Sequence, residues 1–207
     1  LETLKYQDVS KEESKDFIET MLADTRRLAA LIENILEASK SDPKSMELKM
    51  LPVKMDEFLK ETIQGNESRL KAKGCNWQVN IVDSPTLLID KRMMGMVFNN
   101  LLGNALRYSP SGSNLKIEME NSGKICEIRF QDSGIGIDKK DLKKLFRKFF
   151  RVQNSQTQNI EGAGLGLFIS KEIVKSHKGK LKVFSEGIGK GTTFTVALPI
   201  RSAVKNF

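Results

Sequence analysis

The chain has 207 residues, a hydrophobic content of 39%, a charged content of 29% and a formal net charge of +8. This length and balance exclude an intrinsically disordered segment and fit one ordinary domain with an appendage. No apolar run approaches the ~18 residues needed to cross a bilayer, so no membrane segment is expected in this stretch. A basic surface with a site for an anionic ligand accounts for the charge better than nucleic acid does, because no aromatic-interleaved basic motif is present. Cys75 and Cys126 have no partners at metal-ligand spacing, which points to a reducing, cytoplasmic compartment.

In chain order, Leu1 to about Gln7 reads as the tail of a helix. Residues 15–40 form a long amphipathic helix, with Phe17, Met21, Leu28, Ile32 and Ile35 in one stripe widened by Leu22, Ala29 and Leu36. The width of that stripe suits a helical bundle. Ser41-Asp42-Pro43 ends the helix, and the domain boundary falls there, separating 1–43 from 44–207. Leu48, Met50 and Val53 then predict a short strand, and 55–73 a helix closed by Gly74. Trp77, Val79 and Ile81 alternate as a strand, Leu87–Ile89 make another, and 91–107 predict a helix. Leu115, Ile117 and Met119 alternate, turn at Asn121-Ser122-Gly123, and pair with a strand over 125–130 as a hairpin. A helix follows at about 165–177. A second hairpin, 181–184 with 193–198, is joined through Gly187, Gly189 and Gly191. The expected fold is α+β: a two-layer α/β sandwich whose mixed, largely antiparallel sheet is covered by helices on one face.

Chemistry concentrates in five stretches. "NNLLGNALRYS" (99–109) places Asn100 and Asn104 on one face of an otherwise apolar helix, with Arg107 and Tyr108 nearby. Asn is a poor helix former, so the pair needs a reason. "QDSGIGID" (131–138) ends a strand at Asp132, with Gly134 and Gly136 allowing close approach of a ligand to the backbone. "LFRKFFRVQ" (145–153) offers Arg147, Lys148 and Arg151 to an anion but, taken alone, reads rather as a short amphipathic helix with a solvated basic face. "GAGLGLFIS" (162–170) opens into a helix, where bared N–H groups bind phosphate, but it lacks the Lys-Ser/Thr of a Walker motif. "GIGKGTTF" (187–194) is by itself a hairpin turn.

Together and in this order, the five stretches resemble the nucleotide-binding domain of bacterial sensor histidine kinases, within the superfamily of gyrase-type ATPases and heat-shock chaperones. "NLLGNALRYS" is similar to that family's N box, "DSGIGI" to G1, "LFRKFFR" to the F box, "GAGLGL" to G2 and "GKGTTF" to a final glycine motif. The resemblance spans about 46–200. Residues 15–40 resemble the second helix of the family's dimerisation and phosphoacceptor hairpin, making 1–43 a remnant of it and 44–207 a Bergerat-type ATP-binding domain. The resemblance implies that Asn100 and Asn104 hold Mg²⁺ against the phosphates of ATP. It implies that Arg107 contacts phosphate, Tyr108 covers the base and Asp132 accepts from the adenine amine. Gly134, Gly136, Ile137, Leu165, Leu167 and Thr192 join the ATP site, and Gly162, Gly164 and Gly166 bring backbone N–H groups to the phosphates. Arg151 stabilises γ-phosphate charge.

Gyrase-type relatives carry a general-base Glu one turn before the Mg²⁺-binding Asn; here that place is Asn100, whose amide takes no proton. The implied activity is transfer of the γ-phosphoryl to a histidine, for relay to a response regulator receiver domain, in a protein that dimerises when complete. Two alternatives stay open: a non-catalytic, ATP-gated binding module, and an anti-sigma-type serine kinase. The family's acceptor histidine motif is absent, and the single histidine, His177, matches the end of the helix after G2. Met96 and Ser133 are smaller departures. The chain opens at Leu1 without Met and is expected to be a piece of a longer kinase, unable to phosphorylate itself alone, with any membrane anchor of that kinase outside this stretch.

Overall fold

The computed structural model describes residues 48–152 and 163–200. The expected 15–40 helix, the piece before it, the stop at 41–43 and Gly162 lie outside the described residues. The elements are β1 (Leu51–Lys54), α1 (Met55–Gln64), α2 (Glu67–Ala72), β2 (Asn76–Ile81), β3 (Thr86–Ile89), α3 (Lys91–Arg107), β4 (Asn114–Asn121), β5 (Ile125–Asp132), α4 (Lys139–Leu142), α5 (Gly166–Ser176), β6 (Lys180–Phe184) and β7 (Thr192–Pro199). Five strands form one sheet in the order β2-β4-β5-β7-β6. The β2–β4 pair is parallel and the other three pairs are antiparallel, as the mixed reading expects.

Period-two alternation decides which face of the sheet is covered. Leu115, Ile117 and Met119 of β4 and Cys126, Ile128 and Phe130 of β5 are at most 2% exposed. The residues between them carry charge on the open face, where Lys116 pairs with Glu118, and Arg129 with Glu120 and Glu127. Helix α3 covers the apolar face: Met94, Val97, Phe98, Leu101 and Leu102 are fully buried. The Phe98 ring links the layers, 5.2 Å from Phe58 of α1 and 5.3 Å from Phe130 of β5, centroid to centroid. Helix α5 adds Ile169, Ile173 and Val174 to the same core.

Three features differ from the sequence reading. The helix expected over 55–73 is two helices, because the buried Asn66 amide takes over the junction. Its Nδ2 donates to the Thr62 carbonyl and to Asn99 Oδ1, while Arg69 donates to its Oδ1. A side chain that captures backbone carbonyls competes with the helical ladder. Strands β1 and β3 form a separate antiparallel ribbon, Leu51 opposite Ile89, instead of joining the main sheet. The basic stretch 145–151 is not a helix; turns follow the short α4.

Residues 90 and 177 join the two helices that flank the site. Asp90 caps α3, its Oδ1 accepting from Met93 N–H at 3.0 Å. The Asp90 N–H donates to His177 Nε2 at 3.0 Å, just past the end of α5. With Nε2 an acceptor, Nδ1 carries the ring proton and donates to the Ile173 carbonyl at 2.8 Å. The ring is 2% exposed. Among the described residues no helix is long and apolar enough to cross a membrane.

Candidate functional site

The carboxamides of α3 open onto a cleft between that helix, the loop after β5 and the start of α5. Asn100, Asn104, Arg107 and Tyr108 line it along one side, as their spacing requires. Asp132, Gly136 and Ile137 contribute from the loop after β5, Arg151 from the turns after α4, Gly164, Gly166 and Leu167 from the head of α5, and Thr192 from β7. Five separate stretches of sequence thus meet at one place. Gly134 and Leu165 do not line the cleft. Leu165 is 2% exposed and packs inward as the residue before α5. Gly134 has no room for a side chain beside the Tyr108 carbonyl, Ser109 Oγ and Asp132 Oδ1, and it serves the turn itself.

Asp132 is held by backbone. Its Oδ1 accepts from Gly134 N–H at 2.8 Å and from Thr192 N–H at 3.1 Å. Burial nevertheless dominates and pushes its carboxyl up to about 6, against the lowering effect of those two bonds. With Oδ1 so engaged, Oδ2 is the oxygen left to a ligand's donor.

The loop bearing Gly134 and Gly136 is clamped by the last glycine cluster. Gly189 N–H donates to the Ile135 carbonyl at 2.7 Å and Gly191 N–H to the Gly134 carbonyl at 3.2 Å. Gly136 has φ +67°, and a Cβ there would run into the Gly187 carbonyl. The stretch 187–194 therefore acts as scaffold for the Asp132 loop, with Thr192 reaching the cleft itself.

The other end of the site suits an anion. Helix α5 starts at Gly166, and Leu165 before it provides no side-chain cap for the first-turn N–H groups. Arg107 and Arg151 line the same cleft. The Asn104 carboxamide has no side-chain hydrogen-bond partner among the described residues. No group of three or more His, Cys, Asp or Glu that could hold a metal occurs among the described residues. A cation here would depend on neutral amide oxygens and on oxygens of the ligand. That donor set fits Mg²⁺ bound beside phosphate, since Mg²⁺ takes oxygen and few protein ligands.

Sequence reasoning missed Ile135, Leu145, Phe150, Val152 and Phe194, which supply apolar walls. An apolar residue that lines a cleft carries the same pattern as one in the core. The signal that could have found them is position: Ile135 lies within 131–138, Leu145, Phe150 and Val152 within 145–153, and Phe194 within 187–194.

A family model described as "histidine kinase-, DNA gyrase B-, and HSP90-like ATPase" matches residues 89–202. The sensor-like histidine kinase SenX3 of Mycolicibacterium smegmatis is 34% identical over 88% of this chain and 47% of its own length. The chain spans less than half the length of the curated relatives it matches. Among solved structures, full-length ShkA in complex with AMPPNP superposes with a TM-score of 0.77 at 20% identity, over 97% of this chain and 41% of that one. The histidine kinase ThkA in complex with the response regulator protein TrrA gives 0.73 at 22%, over 95% and 54%. The family match covers more than half of the chain and contains the Asn pair, Asp132 and all three glycine clusters, so this chain belongs to the histidine kinase-, DNA gyrase B- and HSP90-like ATPases.

Proposed function

We propose that the cleft binds Mg²⁺-ATP and that the chain is the catalytic part of a sensor histidine kinase, donating the γ-phosphoryl to a histidine on a dimerisation helix. The observation that carries this reading is the meeting of Asn100 and Asn104 with Asp132 and the uncapped start of α5 in one cleft. Its further support is the sensor histidine kinase names of the curated relatives.

Asp132 Oδ2 accepts from the exocyclic amine of adenine, which selects against a guanine oxygen at that place. Tyr108, Ile137 and Thr192 flank the base. The N–H groups at Gly164, Gly166 and Leu167, with Arg107, receive the phosphates. Asn100 and Asn104 would hold Mg²⁺ through their amide oxygens, and the ion supplies neutralisation of triphosphate charge. Neither amide removes a proton from water, so the γ-phosphoryl is kept for an incoming imidazole. Arg151 stabilises charge on it as the nucleophile arrives. The phosphorylated histidine then passes the group to a response regulator receiver domain, in a cytoplasmic homodimer built on the hairpin. ThkA was solved with such a regulator.

The test is a titration with a fluorescent ATP analogue, with Mg²⁺ and with EDTA. Asn104→Ala is expected to weaken binding at least about tenfold with Mg²⁺, a loss of ~1.4 kcal/mol or more, and to leave the thermal unfolding midpoint nearly unchanged. Unaltered affinity in Mg²⁺ would remove Asn104 from the site and sink the reading.

A further inference from the structure

The Asn100 carboxamide is gripped from two sides by α5. Its Nδ2 donates to Ser170 Oγ at 2.9 Å, and Ser170 is 2% exposed. Its Oδ1 lies against Gly166, where an added Cβ would come within 2.5 Å of it. Gly166 and Ser170 are four residues apart, so they sit on one face of the helix, a turn from each other. Gly166 lines the cleft; Ser170 does not.

A carboxamide has two ends of opposite character. The oxygen accepts or coordinates, while the nitrogen only donates. A cation needs the oxygen, and an amide turned end for end presents it with N–H groups instead. Among the described residues Asn104 has no side-chain partner to set its orientation, whereas Asn100 has. The two carboxamides that share a face of α3 therefore differ in how far they are set before a ligand arrives.

We propose that Ser170 is a positioning residue for Asn100: its hydroxyl takes the nitrogen end of the amide and so turns the oxygen end toward the cation beside the nucleotide. This rests on the Mg²⁺-ATP reading of the cleft. Ser170 touches neither nucleotide nor metal and acts only through Asn100. The Gly166 contact works in the same direction, because a side chain at 166 would displace the oxygen that the Ser170 bond orients.

Ser170→Thr and Ser170→Val decide the matter, since they share a shape and differ by the hydroxyl. Each full chain is titrated with methylanthraniloyl-ATP, in Mg²⁺ and in EDTA, beside Asn104→Ala. Ser170→Thr is expected to keep the wild-type ratio of the two affinities. Ser170→Val is expected to lose about three- to tenfold of the Mg²⁺-dependent gain, the worth of one hydrogen bond, while its affinity in EDTA stays within about twofold of wild type. If Ser170→Val keeps the full Mg²⁺ gain, or weakens equally in both conditions, the hydroxyl only packs the helices and the proposal is overturned. Ser170→Ala makes the same comparison should Val prevent folding. Asn104→Ala separates the two failures: if it too keeps the Mg²⁺ gain, the Mg²⁺-ATP reading has failed, not the role of Ser170 alone.

Discussion

Asp132 shows how a single residue sets stability against binding. Burial raises its carboxyl from an ordinary 3.8 to about 6. Between those values the folded chain holds a proton that the unfolded chain has released, so the folded state binds more protons there. Stability contributed at this residue therefore falls as pH rises from about 4 through about 6, and stays lost at neutral pH. Asp132→Asn removes the buried charge and keeps an oxygen for the Gly134 and Thr192 N–H groups. Urea unfolding at pH 7.5 is expected to show Asp132→Asn more stable by the order of 1–3 kcal/mol, with the gain vanishing near pH 4. On the proposed reading the same substitution offers an N–H group to the adenine amine in place of an acceptor, so ATP affinity is expected to fall while stability rises. A variant that is less stable at pH 7.5 would mean the carboxylate is not strained by burial. Gly136 makes the complementary case. An alanine there pays for a left-handed backbone and meets the Gly187 carbonyl. Denaturant unfolding of Gly136→Ala is expected to show a loss of roughly 2–4 kcal/mol.

Between elements, the joint at His177 links the site helices beside the Asn100–Ser170 bond. It ties the end of α5 to the start of α3, and its two ring nitrogens are both engaged. His177→Ala leaves the Asp90 N–H without its acceptor and opens a cavity, so unfolding free energy is expected to drop by about 2–4 kcal/mol. A change under 0.5 kcal/mol would show that the joint is idle. The sequence reading placed His177 at the end of the helix after G2 and set it aside as a phosphoacceptor, and its burial agrees with that. Other elements were legible to different degrees. Strands β4 and β5 were plain because their buried face repeats every second residue and their turn carries Asn121 and Gly123, whose N–H donates to Asn121 Oδ1 at 2.7 Å. The break between α1 and α2 was hidden because the partner of Asn66, Asn99, lies 33 residues away. The β1–β3 ribbon was hidden for the same reason, since local alternation says nothing about which strand a strand will choose. At the site, the polar residues were readable because a carboxamide in an apolar helix or an Asp ending a strand conflicts with its surroundings. Leu165 was over-read, as a residue inside a glycine motif that in fact faces the core.

At the scale of the whole molecule, the decisive feature is what stands beside the phosphates. On the proposed reading Asn100 stands where a hydrolysing ATPase would need a base, and the 207 residues contain one histidine, which is buried. On the proposed reading, a chain of this kind binds ATP and holds the γ-phosphoryl for a histidine supplied from another element. Incubated alone with γ-labelled ATP, it is expected to take up no acid-labile label and to release inorganic phosphate only slowly. Mixed with a separately produced dimerisation hairpin that carries its histidine, it is expected to label the hairpin in an acid-labile, alkali-stable form. Asn104→Ala is expected to lower that labelling by at least about tenfold at subsaturating ATP, and His177→Ala, if folded, to leave label on the hairpin. The net charge of +8 makes a second demand on this encounter. Attraction between a basic domain and an acidic partner weakens as ions screen it, over a Debye length of about 10 Å at 0.1 M salt. If the charge steers docking, the rate of labelling should fall with salt under ATP saturation while nucleotide affinity changes less. Saturating nucleotide with no labelled hairpin at any salt concentration would identify an ATP-gated binding module in place of a phosphotransferase.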